Sequence, residues 1–156
     1  MTSIIKSRKS VILISALLIF ALAMVGCSSK DDTSAEMIKV KVAISCESLK
    51  DVDEELMNKV SDNGVILKET EIEIEKGQNA LDALKAVGKD YSETGGMIVE
   101  INGLNGGDAG DMSGWLFKHN GEFPPMAAGD LELKNGDKVE FVFSTNGGED
   151  VGLTFE

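Results

Sequence analysis

Hydrophobic and polar positions alternate strictly over Met37–Ser45 (MIKVKVAIS). Ile38, Val40, Val42 and Ile44 fall on one side, with Lys39 and Lys41 on the other, which predicts a strand buried on one face. From Glu47 to Val60 the period lengthens. Leu49, Val52, Leu56 and Val60 recur at steps of three and four, predicting a short acidic helix that Ser61-Asp62-Asn63-Gly64 ends. Val65-Ile66-Leu67 reads as a short strand. Thr70–Glu75 alternates again, with Ile72 and Ile74 inward and Glu71, Glu73 and Glu75 outward. Lys76-Gly77 turns the chain. Asn79 can then cap a helix over residues 80–87, whose positions 80, 81, 84 and 87 form one apolar stripe before Gly88 stops it. Met97–Ile101 is a further strand.

Asn102–Gly114 (NGLNGGDAGDMSG) holds five glycines and predicts a mobile loop with no regular element. Trp115–His119 is strand-like. Asn120-Gly121 is a strong hairpin-turn signal, and Glu122–Met126 is extended or irregular. After a turn at Asn135-Gly136-Asp137, residues Lys138–Ser144 place Val139, Phe141 and Phe143 on one face. Leu153 and Phe155 in the Gly-rich tail are expected to pair at a sheet edge. About five strands with one main helix make an α+β domain with a mixed sheet, and the count fits a β-grasp, ubiquitin-like roll.

The N-terminal segment departs from this pattern. Lys6, Arg8 and Lys9 precede an apolar run, Val11–Val25, that is short for a membrane span of roughly 20 residues and suits a signal peptide. The run ends at Met24-Val25-Gly26-Cys27, which resembles a bacterial lipobox with Met in the usual Leu position. Residues 1–26 are therefore expected to be a lipoprotein signal peptide, Cys27 the lipidated residue, and 27–36 a polar, flexible tether. The predicted location is the extracytoplasmic face of the cell membrane, held by lipid. A plain anchor or a signal peptide with an incidental Cys is the alternative.

Charge narrows the partners. The formal net charge is −12, with 27 acids against 15 Lys and Arg, and residues 1–26 contribute three bases and no acid. Such a surface repels phosphate backbones, so nucleic-acid binding is not expected. Two Cys and one His do not make a four-ligand Cys/His zinc site. Once Cys27 is lipidated, Cys46 is the remaining thiol, read as a small buried side chain.

Three segments resemble a known family: Gly64–Gly77 followed by Ala80–Leu84, then Ser113–Pro124 (SGWLFKHNGEFP), then Leu133–Phe141 (LKNGDKVEF). Together they are similar to the C-terminal domain of transcobalamin and intrinsic factor, over about residues 38–152, so that 37–156 reads as one such domain. The resemblance implies a β-grasp-like fold. It also implies cobalamin as a bound ligand, although the helical barrel that completes the site in the vitamin carriers has no room in this sequence. Some members of the family carry a Cys opposite the first-strand Cys. Thr145 stands at the expected position here, so no such disulfide is expected for Cys46.

Trp115, Phe117 and Phe123 flank the Asn120-Gly121 turn beside the glycine-rich loop. They form a candidate stacking wall for a flat ligand, with Asn120 supplying hydrogen bonds and Met126 extending the patch through Phe123-Pro124-Pro125. The competing reading puts Trp115 and Phe117 together in the core. Asn105, Asp108 and Asp111 offer oxygens but lack calcium-loop spacing, and read as solvated turn residues, as do Glu149 and Asp150. His119 stands alone. Gly106–Gly110 is not a phosphate loop, and no nucleophile motif or carboxylate pair appears, so no enzyme activity and no cofactor is expected. The expected function is a surface-anchored lipoprotein that binds a small organic ligand, such as cobalamin or another corrinoid, and presents it to an uptake system. A transporter or a second binding domain would be its protein partner. The alternative is a protein-interaction or adhesion module of the cell envelope with no small ligand.

Overall fold

The computed structural model describes residues 35–154. The signal peptide, Cys27, most of the tether and Phe155 lie outside them. Seven strands and two short α-helices follow in order: β1 (Met37–Ser45), α1 (Glu54–Val60), β2 (Val65–Glu75), α2 (Ala80–Ala86), β3 (Tyr91–Thr94), β4 (Met97–Ile101), β5 (Leu104–Asn105), β6 (Gly114–His119) and β7 (Lys138–Ser144). Single 3-10 turns cover Glu47–Asp51, Ala128–Asp130 and Glu149–Val151. No helix among the described residues is long and apolar enough to cross a membrane.

The architecture is mixed α+β, as expected, but the strands divide into two sheets. A four-stranded mixed sheet has the order β2-β1-β7-β6, and a three-stranded antiparallel sheet has the order β3-β4-β5. In the larger sheet β1 and β7 run parallel, with Val42 opposite Val139 and Ile44 opposite Phe141. The alternating faces meet here: Val40, Val42, Ile44, Val139 and Phe141 are fully buried. On the opposite face the charges pair across and along the strands. Lys41 lies 3.1 Å from Glu69, and Lys138 lies 3.0 Å from Glu69 and 2.9 Å from Glu140. The two lysines hold the Glu69 carboxyl below its usual range through these hydrogen bonds.

Two expectations are corrected here, and one strand had not been expected. The helix expected over 47–60 is broken: Asp53 caps α1 by accepting the Leu56 N–H at 2.9 Å, and Val52, expected inward, is exposed. Residues 65–67 and 70–75 form one strand rather than two, because β1 pairs along its whole length and absorbs the irregularity near Ile44. The strand β3 has no strong apolar alternation. It exists because Gly95 and Gly96, at φ +61 and +80, turn Thr94 back onto Met97. The cap on α2 is as expected and is reciprocal: Asp82 N–H donates to Asn79 Oδ1, and Asn79 N–H to Asp82 Oδ2, both at 3.0 Å.

The loop 102–114 is also corrected. It is a closed set of turns in which Gly107 N–H donates to Ser113 O, Gly110 N–H to Gly107 O and Ser113 N–H to Gly110 O. The Ser113 hydroxyl accepts from Gly107 and Ala109 and donates to Gly110 O, while the Asp108 carboxylate accepts the Asn105 N–H. Among the described tail residues, Glu149–Val151 form a 3-10 turn and Leu153, which belongs to no strand, packs near Gly148.

At the tip of β6, Asn120 and Gly121 have φ +51 and +89, and His119 and Glu122 exchange both backbone hydrogen bonds. The returning arm pairs no further, because Pro124 and Pro125 have no N–H to offer. Asn120 is committed to this tip. Its Nδ2 donates to Asp137 Oδ1 at 2.9 Å and its Oδ1 accepts the Lys138 N–H at 2.8 Å. Asp137 also accepts the Lys134 N–H and lies 2.9 Å from His119 Nε2. Burial pushes the Asp137 carboxyl up, but the hydrogen bonds from Asn120, Lys134 and His119 outweigh it and the net shift is downward. Asp150 is held low in the same way, its burial outweighed by hydrogen bonds from Ser144 and Thr145.

Two outcomes follow for stability. Both Asp carboxyls have folded values below the unfolded one of about 3.9, so their stabilisation is present above that pH and is lost as pH falls through the folded values. The melting temperature should therefore drop on acidification below about pH 4, and Asp137→Asn should flatten part of that drop. Equal acid slopes for the variant and the parent protein would contradict this. Second, Gly129 N–H donates to Gly96 O at 3.1 Å, and a Cβ on Gly129 would sit 3.0 Å from Gly96 Cα and 3.3 Å from Leu81 Cδ1. Gly129→Ala should cost about 1–3 kcal/mol in urea unfolding by forcing this contact apart.

Candidate functional site

A cleft of about 800 Å³ opens between the two sheets. One wall is β6, contributing Gly114, Trp115, Leu116 and Phe117. The facing wall is β4, contributing Met97, Ile98 and Val99. The segment Phe123–Ala128 closes one side, and Leu153 and Gly106 border the rest. Thr94 carries the one polar side chain in this lining, which holds no ionisable group. A mostly apolar concavity of this size is what small organic ligands occupy.

Four of the five expected ligand-binding residues meet here: Trp115, Phe117, Phe123 and Met126 all line the cleft. Asn120 does not line it, since both ends of its amide are engaged at the hairpin tip. The choice between core and ligand wall for Trp115 and Phe117 resolves into a shared position. The rings are 8% and 9% exposed and belong to the hydrophobic core, yet both border the cleft. Trp115 Nε1 donates to Leu104 O at 2.8 Å, and its ring meets Phe143 edge-on at 5.3 Å. Phe117 packs beside Phe141 with ring centroids 6.3 Å apart. These contacts fix both rings from behind. Phe123 is half-buried with Lys118 Nζ 5.0 Å above its ring, which leaves its other side for the cleft.

The wall formed by β4 was not expected as part of the site. Its signal in the sequence is Met97-Ile98-Val99, three apolar residues in succession in a strand that should alternate. Met97 and Val99 are 62% and 40% exposed and Met126 is 46% exposed, so the rim of the cleft is apolar as well as its floor. Unbranched Met side chains can refit around different shapes. Cys46 is buried and free, and burial pushes its thiol up, away from a reactive thiolate. It takes no part in the cleft. Among the described residues no group of three or more His, Cys, Asp or Glu is arranged to hold a metal ion.

Comparison with known proteins places the fold. Residues 77–145 match a family described as a domain of unknown function (DUF4430). No curated protein gives a significant match. Among solved structures, haptocorrin in complex with Cbi superposes with a TM-score of 0.52 at 18% identity, over 72% of this chain and 26% of that one. The chain thus spans well under half of haptocorrin. A Ruminococcus gnavus ATCC 29149 protein, provisionally named as metal binding, aligns at 14% identity over 70% of this chain and 96% of its own. The TM-score of that alignment is 0.41. The described domain is therefore α+β, with a two-sheet fold similar to part of haptocorrin.

Proposed function

We propose that this chain is a lipoprotein held at the extracytoplasmic face of the cell membrane through Cys27, whose domain binds a small organic ligand in the cleft between β4 and β6. Cobalamin or another corrinoid is the ligand class favoured by the sequence resemblance and by the fold shared with haptocorrin, which was solved with Cbi. The domain is read as a β-grasp roll on the order β2-β1-β7-β6 with its central parallel pair. The observation that carries the proposal is the aromatic and Met-lined cleft itself, because its rings are fixed and its lining is uncharged. An uncharged lining suits binding rather than acid–base chemistry, so the protein acts without a cofactor as a carrier. A corrinoid is larger than the cleft, so one face of the ligand would sit against Trp115, Phe117 and Phe123. The other face would be left for a transporter or a second binding domain. Tethering keeps the captured ligand at high local concentration near such a partner.

The full chain, purified in detergent, should quench or shift its Trp115 fluorescence when titrated with cobalamin or cobinamide. Phe123→Ala and Met126→Ala should each weaken that binding by roughly tenfold while leaving the melting temperature nearly unchanged, since both side chains stand at the rim. No response at high micromolar ligand would sink the corrinoid reading and favour a protein-docking role. Metabolic labelling with palmitate should mark the parent protein and not Cys27→Ser.

A further inference from the structure

The cleft runs along a strand edge rather than a strand face. Gly114, Trp115, Leu116 and Phe117 are consecutive, and all four border it. Side chains on a strand alternate between faces, so a run of consecutive residues meets one space only where that space lies along the edge. In the four-stranded sheet β6 is a terminal strand, with β7 as its one neighbouring strand.

The register shows which backbone groups are open. Asn120 N–H donates to Lys138 O, and hydrogen-bonded pairs in an antiparallel ladder alternate. Leu116 and Lys118 therefore direct their N–H and C=O groups to β7, while Trp115 and Phe117 direct theirs outward. At one end of this outward row Ser113 O accepts from Gly107 N–H, and at the other His119 is closed by Glu122. Between these stops the outward N–H and C=O of Trp115 and Phe117 have no ladder partner among the described residues. Across the cleft, β5 pairs only with Glu100 and Ile101 of β4, and Gly106 N–H adds a bond to Val99 O. The stretch of β4 before Val99 is left bare on that side. Two short open edges thus face one apolar slot.

We infer that this slot accepts a strand: an extended segment of a partner protein, apolar at alternate positions and flanked by Lys or Arg, pairs with the Trp115–Phe117 edge of β6. Strand addition of this kind draws affinity from main-chain hydrogen bonds and selectivity from alternate side-chain pockets. Met97, Val99, Phe123 and Met126 supply the apolar contacts. The charge of the flanks follows from the domain, since residues 35–156 carry 25 acids against 11 lysines and no arginine. A basic flank is drawn to such a surface and an acidic one repelled. The inference does not depend on the small-ligand reading. It places the partner segment in the same space, so strand and small ligand exclude each other.

The test uses the full chain in detergent and a short synthetic peptide in which Val and Thr alternate between paired lysines. The peptide should bind with a change in Trp115 fluorescence. Of two versions N-methylated on alternate amides, the one that blocks the edge facing β6 should bind about tenfold more weakly and the other nearly normally. Met97→Arg, at an exposed wall position, should also weaken binding of the lysine-flanked peptide. Equal affinity of the two methylated peptides, or no binding of the parent peptide, would overturn the inference. So would a concentration-dependent dimer that the peptide fails to dissolve, since a second copy would then own the edge. Cobinamide titrated into the same preparation separates the readings. A peptide that fails where cobinamide binds sinks the strand-acceptor inference alone, and the reverse result sinks the small-ligand proposal alone. Where both bind, each should displace the other.

Discussion

The parallel pairing of β1 with β7 is the constraint on which the rest of the domain depends. Val42 against Val139 and Ile44 against Phe141 join the two ends of the described chain at the centre of one sheet. The chain between them must cross from one side of the sheet to the other, as a parallel pair demands. This places β2 on one flank and β6 on the other. It also makes β6 a terminal strand with one edge bonded and one edge unclaimed. The cleft is the consequence of that placement. It lies where the second sheet comes close to the unclaimed edge without joining it.

What keeps the two sheets from closing is local chemistry. The hairpin of β3 and β4 is seated on the Ala128–Asp130 turn by the close passage of Gly96 and Gly129. At the other end, Asn102 Nδ2 donates to Val60 O and Asn102 N–H to Asp90 O. These contacts hold β4 at both ends. The segment after Gly121 lies beside the gap, but Pro124 and Pro125 cannot donate to an edge. Their rings and the side chains of Phe123 and Met126 instead form a side wall, so the gap stays open and apolar.

Much of this was legible in the residues. Alternation located β1 and the single apolar face of β7, and short apolar runs located β4 and β6, because each is bounded by residues with strong local preferences: Gly and Asn at the turns, β-branched and aromatic residues within. The Asn79 cap was legible for the same reason. What could not be read was non-local. The strand β3 is held by its partner rather than by its own composition. Val52 looked inward on a regular helical period, and only the Asp53 cap, which restarts the helix one turn later, sends it to solvent. The glycine-rich loop looked mobile because glycine count reports freedom in the unfolded chain, whereas Ser113 and Asp108 supply the hydrogen bonds that use it. Asn120 was read as a ligand contact because an exposed amide beside aromatic rings suggests one. Its left-handed backbone was the better clue, since it marks the residue as part of the turn that it then bonds to Asp137.

The position of Trp115 shows why core and site need not be alternatives. Its indole N–H is satisfied inside the protein by Leu104 O and its ring is braced by Phe143. A ring held this firmly loses little freedom when something settles against its remaining exposed side, so the ordering cost of binding falls mainly on the ligand and on the flexible Met rim. The same logic applies to Phe117 on Phe141. Rigid rings at the floor and adjustable thioethers at the lip divide the labour: the floor sets what shape is favoured, and the lip accommodates departures from it. A cleft built in this way can discriminate flat or extended apolar partners without a charged group in its lining. The many acids of the domain, standing outside it, then govern approach rather than fit.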